Sequence, residues 1–176
     1  MKVRVDELPE TGRVIHFRKT DAWLTSMTED AREITLARPV EVDLELTREA
    51  DSIKLRGHLQ GALQVACSRC LQDFVLDLDE IIDFTLVQSL PADAPYEIDL
   101  QPEDLDTEFF DGVTIDVDLI VAEQIFLALP QKPLCQPECA GLCSGCGADL
   151  NREECKCEKI EKVSVFHALR SVKIDN

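Results

Sequence analysis

The sequence predicts an α+β fold, mostly antiparallel β: a curved sheet or partly closed barrel with one long hairpin, plus one buried helix and a Cys-rich module. Three observations carry this prediction. From Val40 to Leu86 apolar and polar residues alternate with period two, interrupted once by a Cys-x-x-Cys. One stretch around residue 120 is apolar at helical spacing. Six of the eight cysteines crowd into residues 135–157. The chain therefore divides into residues 1–130, a β-rich domain with an acidic linker and the buried helix, and residues 131–176, a Cys-rich metal-binding module with a C-terminal helix. A length of 176 residues suits one ordinary domain plus such a module.

The elements follow in chain order. Val3-Arg4-Val5 and Val14-Ile15-His16-Phe17 read as short strands, with Thr11-Gly12 turning between them. Trp23, the only tryptophan, is expected against the core, and His16, set among apolar residues, reads as a core histidine rather than a ligand. Val40, Val42, Leu44 and Leu46 alternate with Glu41, Asp43, Glu45 and Thr47, the pattern of a half-buried strand. After a turn at residues 48–51, Ile53, Leu55, Gly57, Leu59, Gly61, Leu63 and Val65 share one face up to Cys67. Beyond Cys70 the alternation resumes at Phe74, Leu76 and Leu78, slips at Glu80, and continues through Ile82, Phe84 and Leu86. Cys67-Ser68-Arg69-Cys70 is thus the tip of a long hairpin. Gly57 and Gly61 mark where its first arm is expected to bend or bulge.

Residues 89–107 carry Pro91, Pro95 and Pro102 among many carboxylates and read as an extended, mobile linker. Phe109 and Phe110 are expected to tie its far end to the core. Thr114 or Asp116 caps a helix over residues 116–128, which Pro130 ends. Its polar stripe is only Asp116, Glu123 and Gln124, so it is expected to be buried on most of its circumference and to plug the open side of the sheet. Ser164 is expected to cap a short last helix with Phe166, Leu169 and Val172 facing inward.

The sulfur spacing points to a metal. Cys143-Ser144-Gly145-Cys146-Gly147 has the form of a zinc knuckle, in which a short turn lets two thiolates face one ion, and Cys155-Lys156-Cys157 presents two more. The competing reading is a disulfide framework, which for eight cysteines allows 105 connectivities. That reading needs an oxidising compartment. Residues 1–30 are charged throughout and hold no apolar core of a signal peptide, and no apolar run approaches the ~18 residues of a membrane span, so a cytoplasmic protein is expected. Two Zn²⁺ ions account for eight sulfurs. The preferred allocation gives Cys143, Cys146, Cys155 and Cys157 to one ion, and Cys67, Cys70, Cys135 and Cys139 to the other, stapling the hairpin tip to the module. The alternative pairs Cys67 and Cys70 with two sulfurs from residues 143–157 and leaves others free. Sites saturated by cysteine suit structure rather than hydrolysis, which needs an open coordination position.

Charge is distributed unevenly. Residues 1–70 hold 11 basic and 12 acidic groups, residues 71–131 hold 16 acidic groups and no Lys or Arg, and residues 132–176 hold 7 of each. The whole excess behind the net −17 lies in the middle block. Such a surface repels phosphate backbones and attracts cationic proteins. Lys54, Arg56, His58 and Arg69, with Lys156, Lys159 and Lys162, offer a smaller basic patch, and direct RNA binding through it is the alternative. A thiol switch in which oxidation ejects zinc is a third class. No nucleophile motif or phosphate-binding glycine loop is present, and His167 reads as structural, so neither an enzyme nor a small-molecule substrate is expected.

Taken together, these parts form a recognisable series: Cys67-Ser68-Arg69-Cys70-Leu71, the acidic linker, an Ile-Asp-x-Asp-Leu helix ending in Leu-Pro, then Pro-Leu-Cys, Gly-Leu-Cys-x-x-Cys-Gly, Asp-Leu-Asn and Cys-x-Cys. The series resembles the large ribosomal RNA subunit accumulation protein family (the YceD family) over roughly residues 40–160. The resemblance implies a non-enzymatic cytoplasmic ribosome-biogenesis factor supporting accumulation of large-subunit (23S) rRNA. It also implies a partner among the basic large-subunit ribosomal proteins, or the rRNA itself, and no membrane. Some relatives keep only the first Cys-x-x-Cys, so it implies zinc that stabilises rather than zinc that does the family's work. Relatives often open the last helix with an acidic-Pro-Arg step, where this chain has Ser164-Val165-Phe166.

Overall fold

The computed structural model describes residues 1–27, 34–88 and 106–157. Most of residues 89–107, read above as a linker, and the final helix beyond Ser164 lie outside the described residues, as do Lys159, Lys162 and His167. The described elements are β1 (Lys2–Arg4), a 3-10 turn (Val5–Glu7), β2 (Arg13–Lys19), α1 (Asp21–Met27), β3 (Thr35–Glu49), β4 (Ser52–Ala66), β5 (Asp73–Gln88), β6 (Thr107–Phe110), β7 (Thr114–Asp116) and α2 (Val117–Leu127). Five strands form one sheet in the order β2-β3-β4-β5-β6, and β1 pairs with β7 in a second, two-stranded sheet. The first two strands of the chain, expected on either side of Thr11-Gly12, therefore belong to different sheets.

Alternation decides which face is buried. Directly opposed residues of neighbouring strands point the same way. Leu46, Leu55 and Phe84 stand in one row across β3, β4 and β5, and Leu44, Gly57 and Ile82 in the next. Val40, Val42, Leu44, Leu46, Leu55, Leu59 and Leu63 are all at most 1% exposed. Val117, Val121 and Ile125 of α2 and Leu24 of α1 complete the same apolar cluster. All pairings within β2–β5 are antiparallel, and only β6 runs parallel to its neighbour. Among the described residues β2 and β6 do not pair with each other, so of the curved sheet or partly closed barrel that was expected, these residues form an open five-stranded sheet.

Three further expectations are corrected. The β4–β5 ladder runs without a break from Ser52↔Val87 to Ala66↔Asp73, so β5 does not slip at Glu80. Glu80 simply occupies a core-face position opposite Leu59, half-buried, and its neighbour Ile81 is left 79% exposed on the other face. The irregularities lie not in β4 but opposite it, one at Ala37 between the Leu36↔Leu63 and Arg38↔Ala62 pairs and a second just beyond. Pairing jumps from Arg38↔Ala62 to Glu41↔Gln60, so Pro39 and Val40 together face Gly61. A proline without an N–H suits such a position. Gly57 marks a close approach instead, since a Cβ there would stand 2.1 Å from the Asp43 carbonyl oxygen. Finally, His16 is no core residue. It projects from the solvent face of β2 onto the carboxylate of Asp43, its cross-strand neighbour.

The helix is capped by Asp116, whose carboxylate accepts from the Leu119 N–H at 3.4 Å. Asp111 accepts from the N–H groups of Val113 and Thr114 at 2.8 and 2.7 Å, which turns the chain at Gly112 (φ +81°) into β7. Trp23 packs against the core as expected, with the Lys19 ammonium 5.2 Å from its ring centre. Phe110 also packs there, whereas Phe109, one step along the pleat, is 63% exposed. No described helix is long and apolar enough to cross a membrane.

Candidate metal centre

The eight cysteines fall into two groups of four, Cys67, Cys70, Cys135 and Cys139 in one and Cys143, Cys146, Cys155 and Cys157 in the other. Within each group every sulfur lies within 4.8 Å of the others, and all eight cysteines are free thiols. The fit to an ion can be tested on distances. A Zn–S bond of about 2.3 Å gives a tetrahedral S···S edge of about 3.8 Å. Cys67 and Cys139 are 3.8 Å apart and Cys70 and Cys135 3.7 Å. In the second group Cys146 and Cys155 are 3.6 Å apart and Cys143 and Cys155 3.1 Å. Three of these four distances match such an edge, the Cys143–Cys155 distance is shorter, and all exceed the ~2 Å of a disulfide. Both clusters are capable of coordinating a metal.

Local backbone geometry explains the first group. The hairpin tip closes with Cys67 N–H donating to Gln72 O (2.9 Å) and Leu71 N–H to Cys67 O (2.9 Å), Leu71 taking a left-handed φ of +59°. The turn leaves Cys67 and Cys70 side by side. The second segment is docked on this tip by backbone bonds, Ser68 N–H to Pro133 O (2.8 Å) and Leu142 N–H to Arg69 O (3.1 Å). Gly141 has a φ of +76°, and a Cβ there would stand 3.0 Å from Arg69 O. Arg69 extends its guanidinium to Cys139 O at 2.8 Å. Cys67, Cys70 and Cys139 are at most 2% exposed and form a small apolar cluster with Phe74, Leu134 and Leu142.

The second group is a knuckle that closes on itself. Cys143 N–H donates to Ala148 O (2.8 Å) and Gly147 N–H to Cys143 O (2.9 Å), with Gly147 at φ +77°. Gly145 and Cys157 N–H groups point at the Cys143 and Cys155 sulfurs at 3.4 and 3.3 Å. Cys146 and Cys157 are exposed, so this group lies nearer solvent than the first.

Ionisation within each group is uneven. Backbone N–H groups, foremost that of Cys135 and then that of Cys70, draw the Cys67 thiol down to about 6. Burial, followed by the neighbouring sulfurs, pushes Cys135 up to about 12. In the second group the Cys146 N–H leads in bringing Cys143 to about 6, while the Cys146 and Cys155 sulfurs raise Cys157 to about 12. One thiolate is welcomed and the next is repelled. A metal cation among the sulfurs would offset that repulsion and favour the thiolate form of each.

One residue that the motif reading left without a role is Asn151. It sits in the loop between Cys146 and Cys155 of the second group, yet its side chain serves the first. Its oxygen accepts from Ala140 N–H (2.7 Å) and Gln136 (3.2 Å), and its amide donates to the Cys139 sulfur (3.4 Å) and to Asp149 (2.7 Å). The signal was an Asp-x-Asn directly after a knuckle, residue types that fold back on local backbone. Asn151→Ala is expected to speed amide exchange at Ala140 several-fold, since an exposed hydrogen bond of this kind contributes about 0.5–1.5 kcal/mol. Unchanged exchange there would show that the clamp does not hold the loop.

The acidic block is also rearranged by folding. Arg38 pairs with Asp77 (2.7 Å), His58 with Asp79, and Lys54 (2.7 Å) and Arg56 (3.5 Å) with Asp83. Lys19 pairs with Asp118 at 2.7 Å. The Lys54 hydrogen bond, with the charges of Lys54 and Arg56, holds Asp83 below the usual carboxylate range. Thus β3 and β4 supply partners for three of the five carboxylates of β5, although residues 1–70 as a whole have no positive charge to spare. The same pairs occupy Lys54, Arg56 and His58, three of the seven residues of the basic patch considered above for RNA, and Arg69 is engaged at the first cysteine group.

A family model described as large ribosomal RNA subunit accumulation protein YceD matches residues 55–173. Similar curated proteins include the chloroplastic large ribosomal RNA subunit accumulation protein YCED homolog 1 of Arabidopsis thaliana. It is 22% identical over 167 residues, covering 82% of this chain and 52% of that protein. The Zea mays protein of the same description is 23% identical over 164 residues, covering 80% and 56%. An uncharacterized Mycobacterium leprae protein is 26% identical over 141 residues, covering 79% and 62%. The chain thus spans little more than half the length of these relatives. No solved structure matches it.

Proposed function

Since this chain belongs to the large ribosomal RNA subunit accumulation protein YceD family, we propose that it is a non-enzymatic cytoplasmic ribosome-biogenesis factor that docks a basic protein of the large subunit and so supports accumulation of 23S rRNA. The observation that carries the docking step is the block of residues 71–131, with sixteen carboxylates and no Lys or Arg. Folding pairs Asp77, Asp79 and Asp83 of β5 but leaves Asp73 and Glu80, and with them Glu108 and Glu123, without an ion-pair partner among the described residues. Ribosomal proteins of the large subunit are cationic because they bind phosphate, and a carboxylate surface shields them until they do. The eight cysteines hold two structural zinc ions in this reading, which keep the residue 131–157 module attached to the hairpin. Zinc bound there supplies a cation that four thiolates can share, and no reaction is routed through it.

Direct rRNA binding is less well supported, because Lys54, Arg56 and His58, three of the basic groups that would contact phosphate, already meet carboxylates within the sheet. The test is capture of proteins extracted from purified large subunits on the immobilised chain, at low and high salt. Capture is expected at low salt and is expected to fall steeply as salt rises, since exposed charges are screened over ~8 Å at physiological ionic strength. Reversing Glu97, Asp99, Glu103 and Asp104 to Lys is expected to weaken capture without changing metal content. If that variant binds as before, while neutralising Lys54, Arg56 and Arg69 abolishes association with rRNA, the RNA reading replaces this one.

A further inference from the structure

Helix α2 is less covered than its sequence requires. Leu119 is 49% and Leu127 74% exposed, and with Glu123 between them they form one stripe at four-residue spacing. Across from this stripe stands Phe109 of β6, 63% exposed. Between the two elements lies a hollow of about 330 Å³ lined by Leu86, Phe109, Leu119 and Ile120 together with Glu108 and Glu123; the one basic group in its lining, Lys2, pairs with Asp116 at 3.6 Å. Single exposed apolar residues are ordinary, but here they gather beside one concavity.

Three β5 aspartates, Asp77, Asp79 and Asp83, each meet a cationic or histidine side chain from β3 or β4, whereas Glu108 and Glu123, like Asp73 and Glu80 of β5, have none among the described residues. Of these four, only Glu108 and Glu123 line a hollow with apolar walls. They oppose one another. Burial first, and then the charge of Glu123, raises the Glu108 carboxyl above its ordinary value. A cation placed between them would remove that repulsion, and apolar side chains beside it would cover Phe109 and Leu119.

We propose that this hollow between β6 and α2 is the docking site for an amphipathic, Lys- or Arg-bearing segment of a protein partner, its basic groups between Glu108 and Glu123 and its apolar groups on Phe109, Leu119 and Leu127. The proposal rests on the docking reading above and narrows it from a sixty-one-residue acidic block to one concave surface. Affinity comes from apolar cover and selectivity from the two carboxylates, the usual division for a helix laid in a groove.

The test uses the full chain and a synthetic amphipathic peptide with Leu and Lys at helical spacing, followed by backbone NMR. Shifts are expected to centre on Phe109, Leu119, Glu123 and Leu127. Binding is expected to weaken at least tenfold for E108Q/E123Q, a change that removes a repulsion and so does not threaten the fold. A similar loss is expected for L119S/L127S, while the β5 variant D77N/D83N should bind like the parent. Shifts centred on the outer face of β5, or equal affinity for E108Q/E123Q, would overturn the proposal. The two readings fail separately. Peptide binding in the hollow without capture of large-subunit proteins leaves the site standing and removes the partner's identity. Capture that E108Q/E123Q leaves intact, but linker charge reversal abolishes, keeps the function and removes this site.

Discussion

Serine at Cys67 is expected to lower the zinc content of the purified protein from two equivalents to one, and serine at Cys143 to remove the other ion. The effect is large because a structural zinc site is worth roughly 10–16 kcal/mol to the segment it orders. Its consequences should differ between the two groups. Cys67 is fully buried in a cluster with Phe74, Leu134 and Leu142, and the backbone bonds from Ser68 to Pro133 and from Leu142 to Arg69 depend on that junction. Loss of the first ion should therefore release residues 133–142 and fray the hairpin tip. Loss of the second should loosen residues 143–157, whose Cys146 and Cys157 already lie at the surface. The β3–β5 core should keep its slow exchange in both variants, since Leu44, Leu55 and Leu59 are buried by α2 and the sheet and not by the module. Elemental analysis and hydrogen exchange read these outcomes. A parent protein with no metal and eight reactive thiols sinks the zinc reading, and one equivalent sinks the two-site division. Loss of both ions in each variant would make the eight sulfurs one unit, for which Asn151 supplies the link.

Alanine at Gly57 is expected to destabilise the sheet more than any other single methyl group added to it. The new Cβ would meet Asp43 O at 2.1 Å and Leu44 Cδ2 at 2.6 Å, both in the middle of β3. A carbonyl that belongs to the β3–β4 ladder cannot retreat without breaking its own pairing. Overpacking in a tight core costs roughly 1–3 kcal/mol and sometimes more, and the upper end applies here. At about 2–4 °C per kcal/mol for a chain of this size, the melting point should fall by ~10 °C. Gly61→Ala is the control. Its Cβ would meet the Val40 methyl at 3.0 Å and the bulged backbone of Pro39 and Val40 no closer than 3.2 Å, so a smaller loss is expected. Equal melting points for Gly57→Ala and the parent would mean that β3 and β4 approach less closely than they do here. Metal content should be unchanged in both.

Much of the sheet is legible in the sequence because period-two burial is a local property. Val40 to Leu46 and Ile53 to Val65 declare which side is buried without reference to any other element, and the hairpin arms of 15 and 16 residues lie where the alternation puts them. The knuckle is legible for the same reason, since Cys143 to Cys157 fall within one short loop. Where a decision needed a partner distant in sequence, local pattern was insufficient. The polar break at Glu80 looked like a slip because a single strand cannot show the unbroken ladder that holds its register. His16 looked buried because its neighbours are apolar, but a pleat sends adjacent residues to opposite faces.

What the sequence determined by itself is thus the strands β1 to β5, the capped helix α2, the local cysteine loop and the imbalance of charge, whereas α1, β6 and β7 were not legible in it. The tertiary structure decided the rest. It brought Cys67 and Cys70 to Cys135 and Cys139, placed Asn151 on the first group, and set Arg38, Lys54 and Arg56 against Asp77 and Asp83. It also chose which apolar residues of α2 to leave uncovered, Leu119 and Leu127 beside Glu123. Composition counts charges and methyl groups along the chain, whereas pairing and cover depend on what stands within a few ångströms in space. That proximity is set by strand register and helix placement, which involve the whole fold at once.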